Sequence, residues 1–133
     1  METTTIKQER IFSTVPEEFY GAFMSSEIHS RITGSDAKIE NKVGGAFQAY
    51  EGYCFGESVE LIPGKRIVQT WCAYDDKWVE GHFSKIMLKL SGDSGKTKLM
   101  FIHEDVPIGA AESIADGWDE YYWKPFEAYF ESK

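Results

Sequence analysis

The chain has 133 residues, 42% of them hydrophobic and 27% charged, which indicates one folded globular domain over residues 1–133 and excludes wholesale disorder. It carries 14 Lys and Arg against 22 Asp and Glu, a formal net charge of −8. That balance opposes nonspecific binding of nucleic acid and of anionic membrane surfaces, because both need a basic face. Uncharged runs such as 43–50 are too short to span a membrane, which takes about 20 apolar residues. The first residues, METTTIKQER, lack the basic and apolar regions of a secretory signal, so we expect a cytoplasmic protein.

The N-terminal part predicts one strand followed by a helical segment. Residues 3–12 contain the β-branched and apolar residues of a strand. Pro16 then opens a helix, since proline suits the first helical turn and the acidic residues at 17–18 complement the helix dipole. A bend at residues 25–26 divides this segment into two short helices, and Gly34 ends it.

A pattern of period two follows, interrupted by turn residues. We predict six strands here, at 36–41, 45–51, 53–62, 65–74, 80–91 and 96–104. If 63–64 forms a hairpin turn, Cys54 faces Ala73 and Cys72 faces Phe55, so that the two cysteines lie on opposite faces of the sheet. We therefore expect both thiols to be free, as in a reducing compartment.

The C-terminal part predicts one long aromatic helix. Val106 and Pro107 are expected to end the last strand, and aromatic residues at three- and four-residue steps predict a helix from about 110 to 131. Pro125 predicts a local break in it, because proline removes one backbone donor. The whole order predicts an α+β domain in which a curved antiparallel sheet of about six or seven strands wraps around the long helix.

Several motifs in this order resemble one protein family. They are PEEFY at 16–20, GGAF at 44–47, EGHF at 80–83 and GWDEYY at 117–122. Together they resemble the C-terminal domain of the activator of heat-shock protein 90 ATPase family, a branch of the START-like helix-grip domains. The resemblance runs from about residue 6 to residue 130. It implies a START-like fold and a non-catalytic, cochaperone-like role with the 90-kDa heat-shock chaperone as partner.

The cochaperone role is expected to be a weak one, and two alternatives to it remain. Two-domain members of this family carry an additional N-terminal domain that makes much of the chaperone contact. Because this sequence starts at the first strand of the C-terminal-type domain, we expect weak binding of the chaperone and little stimulation of its ATPase. The first alternative is a carrier or sensor of a small hydrophobic ligand in a cavity between helix and sheet. The second is an enzyme of the cyclase or hydrolase kind found elsewhere in the superfamily.

The space between the long helix and the sheet is the candidate site. The residues expected to line it are Phe47, Glu57, Trp71, His82, Ile86, Leu88, Phe101, His103, Trp118, Tyr121 and Tyr122. The aromatic rings either wall a ligand cavity or fill the space between helix and sheet. His82 and His103 are either polar groups of that cavity, with Glu57 nearby, or histidines satisfied by the backbone or by water.

Outside this space, the pattern favours structural or solvated positions. We expect His29, on a short helix, to be solvated, and Trp78, at an acidic hairpin tip, to be a candidate interface residue. No cysteine or histidine pair has the spacing of a metal site, and no glycine-rich loop precedes a helix as in a phosphate or dinucleotide site. With no G-x-S-x-G motif either, we expect no catalytic residues, no metal and no cofactor.

Overall fold

The computed structural model describes residues 1–132, in which one antiparallel sheet curves around the C-terminal helix. Its strands are β1 (Thr3–Phe12), β2 (Lys38–Ile39), β3 (Ala46–Ala49), β4 (Cys54–Ile62), β5 (Arg66–Ala73), β6 (Ser84–Asp93) and β7 (Lys96–Pro107). The helices are α1 (Pro16–Met24), α2 (Ser26–Thr33), α3 (Ala111–Trp118) and α4 (Lys124–Glu131), with a 3-10 turn at Ile108–Ala110 and a π-helical turn at Asp119–Trp123. The strand order is β1-β7-β6-β5-β4-β3-β2. The predicted α+β helix-grip architecture is confirmed.

The two short helices after β1 begin and end where local chemistry places them. Pro16 occupies the first turn of α1. Ser25 separates α1 from α2, and its side chain caps α2 by accepting a hydrogen bond from the Ile28 N–H. Gly34 ends α2 with φ 75°, a left-handed conformation that glycine adopts without strain. The predicted bend and the predicted end of the helical segment are both confirmed.

The hairpin of β4 and β5 has the register expected from its turn. Cys54 pairs with Ala73 and Phe55 pairs with Cys72, and both cysteines are free and buried. Beyond them a bulge shifts the register between Ser58 and Glu60. The strands approach most closely at Gly56, where an added Cβ would lie 2.0 Å from the Thr70 carbonyl oxygen. Only glycine fits at that position.

The two strands of the hairpin 84–107 have different bounds from the predicted ones. β6 begins at Ser84 rather than at residue 80, and β7 continues to Pro107 rather than ending at 104. Val106 pairs with Thr4, and Pro107 pairs with Thr3. The irregularity lies at Asp105, which has φ 61° opposite the register shift in β1. Val106 and Pro107 therefore follow a bulge inside the strand instead of ending it.

The long helix is interrupted by the π-helical turn at Asp119–Trp123, directly before the first turn of α4, which contains Pro125. The predicted break at Pro125 is thus confirmed, and its form is one extra residue in the helical turn. The extra residue widens the turn, so that two successive side chains face inward. Tyr122 and Trp123 are both buried, whereas Tyr121 is 59% exposed. A regular three- and four-residue spacing includes Tyr121 in the inward stripe of the helix and omits Trp123, so sequence analysis missed the burial of Trp123 and the partial exposure of Tyr121.

Side chains of β1 hold the helix on both sides of the π-helical turn. The Gln8 side-chain amide donates to the Ala115 carbonyl (3.1 Å) and accepts from the Trp123 indole N–H (2.7 Å). Arg10 forms an ion pair with Asp119 at the start of the turn. Under α4 the core is filled by aromatic rings, with centroid distances of 4.8 Å for Phe12–Phe19 and 5.5 Å for Phe19–Phe126. Open space lies instead under α3 and the π-helical turn.

Candidate functional site

A cavity of about 430 Å³ lies between α3, the π-helical turn and the ends of β3, β4 and β5. It is lined by Tyr50, Tyr53, Cys54, Trp71, Asp75, Ser113, Ile114, Gly117, Trp118, Tyr121 and Tyr122. Trp71, Trp118 and Tyr122 are buried and form its floor, whereas Tyr53 and Tyr121 are exposed at its mouth. A volume of this size is within the range of small-molecule sites, roughly 300–1,000 Å³.

Tyr50 joins the turn after β3 to the π-helical turn at the cavity mouth. Its φ of 52° is unusual for a bulky side chain, and Glu51 beside it also has positive φ. The Tyr50 hydroxyl donates to the Tyr121 carbonyl oxygen. In a regular helix that carbonyl would accept from residue 125, but Pro125 has no N–H, so the tyrosine hydroxyl takes the place of the missing donor. Burial raises the pKa of Tyr50 to about 12, which keeps the phenol neutral.

A carboxylate is fixed at the rim by two hydrogen bonds. Asp75 accepts from the Tyr53 hydroxyl at Oδ2 (2.8 Å) and from the Lys77 backbone N–H at Oδ1 (2.9 Å). The pKa of Tyr53 is raised, first by burial and then by this hydrogen bond and the charge of Asp75. The rim therefore combines neutral phenols with one oriented carboxylate.

A hydrogen-bonded chain connects the cavity floor to α2. His29 lies 2.8 Å from the Phe23 carbonyl through Nδ1, so Nδ1 carries the proton, and Nε2 accepts from the Tyr122 hydroxyl (2.9 Å). Beside Tyr122 in the cavity wall, the Cys54 thiol donates to the Ala49 carbonyl (3.9 Å), and burial raises the pKa of this thiol to about 12. Burial lowers the pKa of His29. The prediction that His29 is solvated was wrong, because its ring is 3% exposed and packs against Phe23 and Tyr122.

His103 lies behind the floor in a second closed network. The Trp118 indole N–H can only donate, so it fixes His103 Nδ1 as an acceptor (3.1 Å) and leaves the proton on Nε2. That Nε2–H donates to Ser84 Oγ (2.8 Å), and the Ser84 hydroxyl donates to the Trp71 carbonyl (2.8 Å). Burial lowers the pKa of His103 to about 3. In a nucleophilic pair the serine donates to the histidine, so this arrangement runs in the opposite direction and cannot activate Ser84.

The structure distributes the other expected lining residues over three places. Trp71, Trp118, Tyr121 and Tyr122 line the cavity. Phe47 and Ile86 border a narrow gap of about 10 Å³ behind its floor. Leu88 and Phe101 are fully buried in the filled core.

Glu57, His82 and His103 are not brought together. Glu57 is exposed on the outer face of the sheet, because side chains alternate along the strand and that of its neighbour Ser58 is buried. His82 precedes β6 instead of lying within it, and its Nε2 is 2.7 Å from the Asp105 carbonyl at the bulge in β7. The expectation that Glu57 and His82 enter the cavity therefore disagrees with their positions.

Trp78 is buried rather than exposed. Its ring is 6% exposed, packs on Trp71 at 5.2 Å between centroids, and donates from Nε1 to the His82 carbonyl (2.9 Å). Asp76 and Lys77 are exposed, whereas the indole turns back into the core. The Trp78 interface prediction assumed a solvated tip and does not agree with this position.

The outer face of the sheet carries a different exposed group of rings, which we call the outer aromatic cluster: Phe55, Tyr74 and Phe83. Phe55 lies 5.1 Å from Tyr74 and 5.7 Å from Phe83 between ring centroids. Tyr74 is 71% exposed and Phe83 is 49% exposed. Large adjoining rings in solvent are typical of protein interfaces.

Sequence analysis missed the residues of the cavity mouth. Tyr50, Tyr53 and Asp75 come from two turns, and Ser113 and Ile114 come from α3. The two tyrosines flanking Gly52 were the available signal, because rings placed in a tight turn at a sheet end have few neighbours of their own.

Within residues 1–132, no helix is long and apolar enough to cross a membrane. Among the side chains that the structure describes, no group of three His, Cys, Asp or Glu is placed to bind a metal ion.

A curved antiparallel sheet around a C-terminal helix, with an aromatic cavity at one end, defines a START-like helix-grip domain. Residues 13–131 match the family described as Activator of Hsp90 ATPase homolog 1-like protein, and the chain belongs to this family.

Curated relatives of this chain are named as activators of the 90 kDa heat shock protein ATPase. An activator of 90 kDa heat shock protein ATPase homolog 1 from Homo sapiens is 33% identical over 96% of this chain and 37% of its own length. A homologue from Dictyostelium discoideum is 34% identical over 87% of this chain and 30% of its own length. This chain thus spans about a third of the length of these curated relatives.

Two solved structures match over nearly their whole length. An HSP90 activator from Plasmodium falciparum has a TM-score of 0.86 at 25% identity, covering 96% of both chains. A protein from Chromobacterium violaceum has a TM-score of 0.77 at 27% identity, again covering 96% of both.

Proposed function

We propose that this protein is a non-catalytic cochaperone of the cytosol that binds a 90-kDa heat-shock chaperone through its outer aromatic cluster and acts on the chaperone's ATPase. The observation that carries the proposal is the cluster itself, exposed on the sheet of a chain from the Hsp90-activator family. The Plasmodium falciparum match, described as an HSP90 activator, supports placing chaperone contact within a domain of this extent.

The chemistry of the interior supports a role without catalysis. His103 donates a hydrogen bond to Ser84, whereas activation of a serine nucleophile needs the serine to donate to the histidine. Burial keeps the Cys54 thiol protonated by raising its pKa to about 12. Cys54 and Cys72 are both free and buried, which fits a reducing compartment such as the cytosol.

The outer aromatic cluster has the features of a binding hot spot. Phe55 is half-buried and supports Tyr74 and Phe83, so the two outer rings are held in place before a partner arrives. Burying pre-positioned rings costs little side-chain entropy, and such residues dominate binding energies. The formal charge of −8 favours basic patches on the partner, which makes association weaken as salt rises.

The test is binding to the 90-kDa heat-shock chaperone of the same organism, together with ATP turnover at low and physiological salt. We expect saturable binding and altered turnover with the unaltered chain. The double substitution Tyr74→Ala and Phe83→Ala is expected to weaken binding by about tenfold or more with little change in the melting temperature. Ile11→Ala is the matched control, since Ile11 is 60% exposed on β1, away from the cluster.

Two results would contradict the proposal. Absence of binding by the unaltered chain refutes the chaperone function. Equal loss of affinity in Ile11→Ala and in the double variant refutes the assignment of the surface.

A second candidate function, carriage or sensing of a small hydrophobic ligand, is favoured by one observation. The cavity of about 430 Å³ has two tryptophans and an isoleucine in its wall, so an apolar molecule would bury much of its surface there. This function does not depend on chaperone binding.

A further inference from the structure

We propose that the cavity selects amphiphilic organic cations, with an ammonium group at the tyrosine-lined rim and an apolar body against the floor. This inference rests on the second candidate function, ligand carriage, and names the chemical class of its ligand.

The rim offers the two groups that recognise an organic cation. Tyr50, Tyr53 and Tyr121 supply aromatic faces, which attract ammonium groups through the ring quadrupole. Asp75 supplies the negative charge, and its oxygens are already oriented by the Tyr53 hydroxyl and the Lys77 backbone N–H. The raised pKa values of Tyr50 and Tyr53 keep both phenols neutral.

The cavity mouth keeps Tyr50 in a backbone conformation that is costly for a bulky residue. Tyr50 keeps φ 52°, and its hydroxyl occupies the carbonyl of Tyr121 that Pro125 leaves without a helical donor. A bulky residue in this conformation costs of order 1–3 kcal/mol and persists only where the surroundings enforce it. Here the surroundings fix two tyrosine rings at the cavity mouth: Tyr50 and Tyr121 pack edge to face, with 5.8 Å between ring centroids.

The charges of the cavity and its surroundings oppose an anionic ligand. Among the described residues, those that line the cavity include one carboxylate and no lysine, arginine or histidine. Ser113, Gly117 and Tyr121 also line an adjoining surface depression. That depression contains four carboxylates and two lysines, namely Glu112, Asp116, Asp119, Glu120, Lys77 and Lys124. Inside the cavity a fatty-acid carboxylate would thus meet the like charge of Asp75 and no cationic lining residue.

The floor suits an apolar body of moderate size. Trp71 and Trp118 are each 4% exposed, as is Ile114, and Tyr122 directs its hydroxyl away toward His29. The floor therefore presents ring faces and aliphatic carbon to a ligand. Because both tryptophans touch the cavity, their fluorescence reports its occupation directly.

The experiment titrates the unaltered chain with three probes of equal chain length: decyltrimethylammonium, decanol and decanoate. All are kept below their micelle concentrations, at physiological salt, and binding is followed by tryptophan fluorescence and calorimetry. We expect the cation to bind about tenfold more tightly than decanol, and decanoate to bind most weakly.

Three variants locate the charge and the site. Asp75→Asn keeps an acceptor for the Lys77 backbone N–H. It is expected to weaken binding of the cation about tenfold and to leave the affinity for decanol unchanged. Asp76→Asn removes the same charge from the exposed neighbour outside the cavity and is expected to change neither. Gly117→Leu adds a side chain where an added Cβ would meet only Tyr121, at 3.9 Å, and is expected to abolish binding of all probes by filling the cavity.

The outcomes separate the two ideas. Equal affinities for the cation and decanol, or equal effects of Asp75→Asn and Asp76→Asn, refute cation selection and leave ligand carriage standing. Binding that survives Gly117→Leu refutes the cavity as the site. Binding of none of the probes by the unaltered, folded chain refutes cation selection and counts against ligand carriage, with no bearing on the chaperone proposal.

Discussion

Lowering the pH is expected to destabilise this protein through His103, by an amount that the burial of its ring determines. The unfolded histidine has a pKa near 6.5, and burial lowers that of the folded one to about 3. Below pH 6.5 the unfolded chain therefore binds a proton that the folded chain does not, so the free energy of unfolding falls with pH by up to about 1.4 kcal/mol per unit. From pH 7 to pH 4.5 the loss amounts to about 2–3 kcal/mol.

The perturbation is His103→Gln, compared with the unaltered chain in urea melts across this pH range. The variant is less stable at pH 7, because it disrupts the hydrogen bonds to Trp118 and Ser84. It also lacks the titrating ring, so its deficit is expected to shrink by about 2–3 kcal/mol as the pH falls to 4.5. Carboxylates and His29 contribute to both slopes and cancel in the difference. Ile11→Ala, which changes an exposed side chain that does not titrate, is the control and is expected to keep the original slope.

Parallel pH profiles for His103→Gln and the unaltered chain would refute the assignment of His103 as a buried neutral ring. If the variant does not fold, the same point is decided by NMR on the unaltered chain. There the His103 ring resonances are expected to stay constant from pH 7 to 4.5, and a titration with a midpoint near 6.5 would refute the reasoning.

Two further substitutions test contacts that fix the sheet and the helix, both measured by urea melts. Gly56→Ala is expected to cost about 3 kcal/mol or more, since the methyl group would lie 2.0 Å from the Thr70 carbonyl. Gly21→Ala, on an open helical surface, is its control and is expected to be neutral or stabilising; equal effects would contradict the close approach. Gln8→Ala is expected to cost about 1–3 kcal/mol by leaving the buried Trp123 N–H without its acceptor. A change below about 0.5 kcal/mol would show that another group accepts that proton.

Sequence alone predicted the features that depend on neighbouring residues. The turn at 63–64 and the alternation of side chains determine which residues pair, so the positions of Cys54 and Cys72 were correct. The two short helices were marked by Pro16 and Gly34, both of which act within one helical turn.

Features that depend on distant contacts were not predictable in this way. The direction of His29 and Trp78 depends on which rings pack against them, and those partners lie far along the chain or across the sheet. The cavity mouth combines Tyr53 and Asp75 from separate turns with the π-helical turn, so no local pattern contains it. The π-helical turn was not predicted, because the helical period of 3.6 residues on which the prediction relied does not include an extra residue.

The π-helical turn also limits the length of this part of the chain. One residue corresponds to a rotation of about 100° in a helix, and the widened turn absorbs one such residue. Deleting a single residue within 119–123 would leave a regular helix in which Phe126 and Phe130, now 0% and 3% exposed, would be seven and eleven residues after Trp118 and would stay on the buried face. A further insertion would exceed what the turn absorbs and would rotate both rings away from the core. We therefore expect variation in this family to avoid insertions between Trp118 and Pro125, while the exposed hairpin tip at 94–95 can change length freely.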